Sequence, residues 1–239
     1  MTSLSTAKKL LDKAVSEGRS ILMEHEAKEL LRSYGIPMGE FALATNLNEA
    51  LKIAGKIGYP LVLKITSPDI LHKTDVGGVA LNIKNDGELK LNYEAILTRV
   101  KETSPRARIN GILVQKMMPH STEVIIGMIK DPQFGPTMMF GLGGVLVEVF
   151  RDVAFRIAPV DKEGAMEMME KIKGYKILTG YRGSPRSDLD ALTDIMVTAS
   201  KIAMEINLIN QMEMNPIFAY EVGASVVDAR VILQPSPLH

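Results

Sequence analysis

The sequence predicts an α+β chain built as two lobes. Three observations lead there. Amphipathic helical stretches and short apolar strand stretches alternate over the first half. Strands then cluster over 111–150, with turn signals between them. The pattern is not the strict strand–helix–strand alternation of a dinucleotide-binding sheet. The split between lobes is expected near 103–110. At 239 residues the length suits one to two domains and a substantial core.

The elements follow in order. A first helix is expected at Thr6–Glu17. A second starts after Ser20 and ends at Gly35, because Pro37 forbids continuation. Phe41–Ala44 reads as a short strand. Asn48–Ile57 reads as a helix stopped by Gly58, and Tyr59-Pro60 forces an extended entry into the strand Leu61–Ile65. A polar loop, 66–78, leads to a strand at Val79–Ile83. A helix over Glu88–Glu102 ends at Ser104-Pro105. Strands are expected at Gly111–Met118, Glu123–Lys130, Thr137–Phe140 and 145–150. Asp131-Pro132 and the cluster Gly141–Gly144 mark turns. Helices at Asp161–Lys173 and Asp188–Ile206 flank a loop rich in Gly, Tyr and Arg. Strands at Glu213–Ala219 and Ala224–Leu233 close the chain.

Composition excludes several function classes. Lys+Arg and Asp+Glu both total 28, so the chain lacks the basic excess that a general nucleic-acid or anionic-membrane binder needs. There is no Cys, which removes disulfides, thiolate metal sites and a cysteine nucleophile. Trp is absent and aromatics are 5%, leaving little for base stacking. The 15 methionines are expected mostly as core filler. The N-terminus has no apolar h-region and no stretch reaches a membrane span, so a soluble, cytoplasmic chain is expected.

Some residues carry potential chemistry. Lys64 interrupts the apolar run Leu61–Ile65. It is either a strand-end lysine that snorkels to solvent or a cation projecting into a cleft to hold phosphate. His72 lies in a polar loop with Asp69, Lys73 and Asp75 and a terminal Gly77-Gly78. A lone loop histidine is often merely solvated. Here a carboxylate on one ring nitrogen would fix the tautomer and free the other as a nucleophile, able to carry phosphate as a phosphoramidate. The two glycines would let the loop move.

The Gly141–Gly144 segment reads either as a tight turn or as backbone N–H groups open to a phosphate. Neither a Walker A pattern nor a spaced G-x-G-x-x-G occurs. Glu123, Glu148, Glu213, Asn215 and Asp228 lie on or near strands. Glu213 and Asn215 share a strand face, since residues i and i+2 point the same way. With Asp228 on the next strand they form an oxygen-only set that suits Mg²⁺. Arg151, Arg156, Arg182 and Arg186 are candidates to neutralise phosphate oxygens.

Three segments in this order resemble a known family: PLVLKITSPDILHKTDVGGVALNI (60–83), EVIIGMIKDPQFGPTMMFGLGGVLVE (123–148) and MEMNPIFAYEVGASVVDARVIL (212–233). They are similar to the ATP-grasp beta subunit of ADP-forming acetyl-CoA synthetases, the acetate–CoA ligases. The likeness runs from about Ser20 to Leu233.

The resemblance implies an ATP-grasp fold, with ATP or ADP held between two α+β lobes. It implies an N-terminal helical arm (1–19) packing on the second lobe. The first lobe would span 20–108, with a phosphohistidine loop at 66–78. The second would span 109–239, with a hinge at 115–118 and a metal site. It places His72 as the phosphorylated histidine and Lys64 on the phosphates. Gln115, Lys116, Met117 and Met118 form the hinge at the adenine edge, and Glu123 sits near the ribose or metal. Asn215 and Asp228 match Mg²⁺ ligands, with Glu213 a further candidate for the metal or for an acceptor near His72.

The implied reaction is acyl-CoA + ADP + phosphate ⇌ acid + ATP + CoA. The CoA and ligase domains would lie on an alpha subunit in an α2β2 heterotetramer. The same blocks also fit ligases for succinate or aryl acids. A regulatory nucleotide-sensing module is the alternative of another class, disfavoured because His72, Lys64, Asn215 and Asp228 are all present.

Overall fold

The computed structural model describes residues 2–70, 72–144, 152–183 and 185–234. The chain divides into two compact units, Gly39–Pro119 and Met1–Met38 with His120–His239. Among the described residues no helix is long and apolar enough to cross a membrane.

The chain opens with helix α1 (Ser3–Ser16), whose N-cap Thr2 accepts from the Ser5 N–H. Ala7, Leu11 and Ala14 form its buried stripe at i, i+4, i+7 spacing. Helix α2 (Glu24–Ser33) begins at a buried carboxylate. Glu26 accepts the Met23 N–H at 2.9 Å and accepts from both terminal guanidinium nitrogens of Arg19, Nη1 and Nη2, at 2.7 and 3.0 Å. That fork ties the link after α1 to the start of α2.

The smaller unit runs β1 (Phe41–Ala44), α3 (Leu47–Ile57), β2 (Leu61–Thr66), β3 (Val79–Ile83), α4 (Asp86–Thr103) and β4 (Gly111–Lys116). Asn46 and Asn85 cap α3 and α4 by accepting from Glu49 N and Glu88 N. The strands form an antiparallel sheet in the order β1-β4-β2-β3. Alternation sets its two faces. Leu61, Leu63, Ile65, Ile112 and Val114 pack with Ala50 and Ala54 of α3 and with Leu89 and Ile96 of α4. The other face carries Val62, Lys64, Leu113 and Gln115, and neither helix of the unit contributes to it.

The larger unit continues with β5 (Thr122–Asp131), β6 (Gly135–Leu142), β7 (Val153–Ile157), α5 (Lys162–Lys171), α6 (Tyr175–Leu178) and α7 (Leu189–Glu205). It ends with β8 (Ile209–Ala219), β9 (Ala224–Val226) and β10 (Ala229–Leu233). Its antiparallel sheet has the order β10-β8-β5-β6-β7, with β9 also on β8. One face packs Val124, Ile126, Phe140, Met212 and Met214 against α1, α2, α5 and α7. Met128, Met138, Met168, Met169 and Met196 fill the same core, as soft side chains suit irregular gaps. Glu123, Gly127, Gly141, Glu213 and Asn215 lie on the opposite face.

The division differs from the expected boundaries at 19/20 and 108/109. Residues 20–38 join the larger unit, because Ile21 bridges Ile232 and Met38 bridges Val226. Leu22 N–H and Leu233 N–H also bond across, to the Val231 and Ser20 carbonyls. Residues 111–116 stay with the smaller unit, because β4 is a central strand paired on both edges, with β1 and β2. The expected strand 224–233 is two strands broken at Val227-Asp228. The strand Val153–Ile157 was not expected. The expected strand at 145–150, with Glu148 and Arg151, lies outside the described residues.

Candidate functional site

In the smaller unit the sheet face without helices brings together Lys64, the predicted phosphate residue, and Gln115, the first of the predicted hinge residues. Lys64 stands opposite Leu113 on β4 and Val79 on β3, and Gln115 stands opposite Val62 and Phe41. Lys64 and Gln115 are both buried, at 6% and 3% exposure. A buried lysine is held only where its charge is answered, so Lys64 does not snorkel freely to solvent.

The hinge residues divide by role. Lys116 N–H bonds the Glu40 carbonyl at 2.7 Å, and Met117 N–H bonds the Pro60 carbonyl at 3.0 Å. The Lys116 ammonium donates to the carbonyls of Gly58 and Tyr59, at 3.1 and 2.8 Å. These groups fix the strand end. Met118 packs on Gly39, where an added Cβ would come 2.7 Å from its sulfur.

His72 is exposed, in the segment joining β2 to β3. No carboxylate orients its ring among the described residues. Of the two acceptors offered, Asp69 and Asp75, Asp69 is instead clamped by Arg108, with Nη2 at 2.7 Å, Nε at 3.0 Å and the backbone N–H at 2.8 Å. That fork holds the Asp69 carboxyl down to about 2. Gly77 and Gly78 both take part in backbone hydrogen bonds. Gly77 adopts φ 63° and bonds the Thr74 carbonyl, and Gly78 N–H bonds the Lys73 carbonyl at 2.8 Å. The Gly78 carbonyl accepts from Ile65 N–H at 2.7 Å. The segment is thus pinned on both sides of His72, at Asp69 and at Gly78.

In the larger unit the two oxygen-bearing side chains of β8 do meet. Asn215 Nδ2 donates to Glu213 Oε1 at 3.1 Å. Met212 and Met214 point the other way, into the core. The Asn215 N–H bonds the Asp228 carbonyl at 3.2 Å, which places the break between β9 and β10 beside Asn215. Asp228 Oδ1 accepts from the Ala229 N–H at 2.7 Å. Gly127 lies directly opposite Glu213 on β5, so no side chain crowds it from that strand. Two acids and an amide, all offering oxygen, suit a hard cation that keeps water and phosphate ligands. Among the described residues no group of three or more His, Cys, Asp or Glu forms a metal cluster.

Glu123 lies at the far end of the same face, opposite Phe218. Its carboxylate is 3.2 Å from His120 Nε2, and the His120 ring tilts against Phe218 with centroids 5.4 Å apart. Gly143 and Gly144 abut it: a Cβ on Gly144, whose φ is 63°, would come 2.7 Å from Glu123 Oε2. Composition alone gave His120 no signal.

The remaining arginines are less convergent. Arg156 pairs with Glu167 at 2.6 Å, Arg182 sits over Tyr181 at 5.4 Å, and Arg186 is exposed. Sequence reasoning also missed Lys28, a helix lysine that is 2% exposed. Its i, i+4 spacing from Glu24 reads as an ordinary surface pair.

Comparison with known proteins adds to this geometry. The model of the ATP-grasp domain matches residues 13–233. The chain is 49% identical over 233 residues to the beta subunit of acetate–CoA ligase [ADP-forming] I of Pyrococcus furiosus, covering 98% of this chain and 100% of the relative. It is 40% identical to the 4-hydroxybutyrate–CoA ligase [ADP-forming] of Nitrosopumilus maritimus, covering 94% of this chain and 32% of that longer protein. Among solved structures it is similar to acetyl-coenzyme A synthetase 1 of Ca. Korarchaeum cryptofilum. One complex, with coenzyme A and Ca-AMPCP, superposes with TM-score 0.93 at 48% identity, covering 95% of this chain and 100% of that one. Another, with coenzyme A and Mg-AMPPCP, has its phosphohistidine segment pointing towards the nucleotide binding site; it gives TM-score 0.85 at 45% identity and the same coverage.

Proposed function

Because the chain belongs to the ATP-grasp family, among the beta subunits of ADP-forming acetate–CoA ligases, we propose that its two helix-free sheet faces carry the nucleotide and metal ligands and that His72 carries the phosphoryl group. The chain is the nucleotide-binding subunit of an ADP-forming acyl-CoA synthetase. It binds ATP or ADP with Mg²⁺ and relays a phosphoryl group between a histidine and the nucleotide, reversibly.

The observation that carries the role of His72 is its setting. It is an exposed imidazole between two pinned points, Asp69 on Arg108 and Gly78 on Ile65, on the segment that leaves the strand bearing Lys64. In the direction of ATP synthesis, an oxygen of the ADP β-phosphate attacks the phosphorus on His72. The P–N bond breaks and the imidazole leaves with its electron pair. Lys64 provides a compact positive charge for phosphate oxygens. Glu213, Asn215 and Asp228 would hold Mg²⁺, which when bound supplies further neutralisation of phosphate charge. Gln115, Lys116, Met117 and Met118 place the adenine. Lys116 acts by fixing the strand end, Met118 by its N–H and apolar wall, and Glu123 orients the ribose or the metal. Positioning and charge neutralisation carry most of the catalysis.

The partner is an alpha subunit with the CoA-binding and ligase domains, in an α2β2 assembly in the cytoplasm. The acid is selected there, which agrees with relatives named for acetate and for 4-hydroxybutyrate sharing this chain's sequence. The test is turnover of the reconstituted complex with His72→Ala and His72→Asn. Both should abolish ATP formation while ADP still binds. Normal turnover in either would overturn the relay.

A further inference from the structure

We propose that Lys28, held by Glu24, is a positioning residue for the Asp228 carboxylate and thereby sets the metal affinity of the site. The inference rests on the reading of Asp228 as a Mg²⁺ ligand.

Helix α2 packs on β10, and its second turn presents a charge to the interior. Lys28 is 2% exposed and Glu24 1%, with their charged atoms 3.0 Å apart. The Lys28 ammonium donates to the Val227 carbonyl at 2.6 Å, a contact between residues 199 positions apart. Val227 is the residue before Asp228, in the break between β9 and β10. Its N–H is taken as well, by the Pro216 carbonyl at 3.0 Å. Pro216 in turn follows Asn215, whose N–H bonds the Asp228 carbonyl. The peptide that feeds Asp228 is therefore fixed from one side by β8, the strand of Glu213 and Asn215. It is fixed from the other side by a buried cation on α2.

Stability alone gives little reason for that cation. Burying an ion pair costs several kcal/mol of desolvation per ion, and apolar residues of like volume are often as stable or more so. What the pair supplies is direction. A carbonyl held by a buried ammonium has one orientation, and the next residue's backbone inherits it. The break at 227–228 lies between the β8–β9 register, which ends at Val226, and the β8–β10 register, which begins at Ala229, and the Lys28 contact falls at that junction. Partners that orient a metal ligand from behind typically change metal affinity by about 10- to 100-fold when removed.

The experiment uses the full 239-residue chain loaded with ADP. Mn²⁺ serves as the probe, and its binding is read by electron paramagnetic resonance, independently of turnover. The variants are Lys28→Met, the double substitution Glu24→Leu with Lys28→Met, and Asp228→Asn. The double variant guards against a folding failure, because it leaves no unpaired buried charge and should melt at or above the parent temperature. The expected result is Mn²⁺ binding at least about tenfold weaker in the folded double variant, with ADP binding in the absence of metal unchanged. Mn²⁺ affinity equal to the parent in that folded variant would overturn the proposal while leaving Asp228 as a ligand. Unchanged Mn²⁺ affinity in Asp228→Asn would overturn the metal-site reading and this proposal with it.

Discussion

Gly78→Ala is the sharpest probe of how the His72 segment is held. Gly78 closes the segment onto β2: its carbonyl accepts from Ile65 N–H and its N–H donates to Lys73 O. A Cβ there would overlap Ile65 Cγ2, and would stand 2.9 Å from the Lys73 carbonyl oxygen and 3.2 Å from Ile65 Cβ. Ile65 is fully buried in the core of the smaller unit, so its side chain has little room to turn. One obstacle is thus a core side chain and the other is backbone. Overpacking of this kind costs about 1–3 kcal/mol. In a chain of this size each kcal/mol lowers the melting temperature by roughly 2–4 °C, so a drop of several degrees is expected.

The assay is thermal unfolding of the full chain followed by circular dichroism, with the phosphorylation rate of His72 measured alongside. Ile65→Leu moves the branch methyl away at nearly constant volume and alone should cost less than about 1.5 kcal/mol. Combined with Gly78→Ala it should restore part of the loss, because the Lys73 carbonyl still intrudes. A Gly78→Ala variant that melts with the parent and shows no coupling to Ile65→Leu would refute the pinned base.

The Asp69–Arg108 clamp makes a pH prediction. The folded-state carboxyl titrates near 2, below its ordinary 3.8. The stability it contributes is therefore fully present above the ordinary value and is lost as pH falls through about 2. A carboxyl-carbon NMR titration should place the Asp69 midpoint near 2, and Arg108→Ala should return it towards 3.8; a midpoint near 3.8 in the parent would contradict the clamp. Lys116→Met removes the ammonium from two carbonyls and should cost on the order of 1 kcal/mol in chemical denaturation. It should raise the KM for ADP modestly, through the loosened strand end, whereas Lys64→Met should raise it sharply; the reverse order would exchange the two roles.

Much of this was legible from local pattern. A lysine inside an apolar run marked the strand β2 and the face on which Lys64 stands, because a strand shows its faces with period two. The same period put Glu213 and Asn215 together, and the structure joins them by a hydrogen bond. What local pattern did not carry is contact across long separations. Arg108 reaches Asp69 over 39 positions and takes one of the two carboxylates that proximity in sequence had offered to His72. The placement of residues 20–38 is set by bridges to Val226 and Ile232, near the other end of the chain. Gly77 serves a positive φ and Gly78 a close approach to Ile65, roles that the Gly-Gly pair did not announce in the sequence. Lys28 was hidden because burial, not spacing, distinguishes it from a surface lysine.

The central claim is that phosphate travels through His72. The chain has 4 histidines, and cleavage after lysine releases His72 alone in the peptide Ile65–Lys73. The complex should be incubated with terminally labelled ATP and Mg²⁺, quenched in base, and the chain digested and mapped by mass spectrometry. The account predicts an acid-labile, base-stable phosphate on that peptide, discharged on adding ADP. Label on a peptide bearing another histidine, or none on this chain, would contradict it.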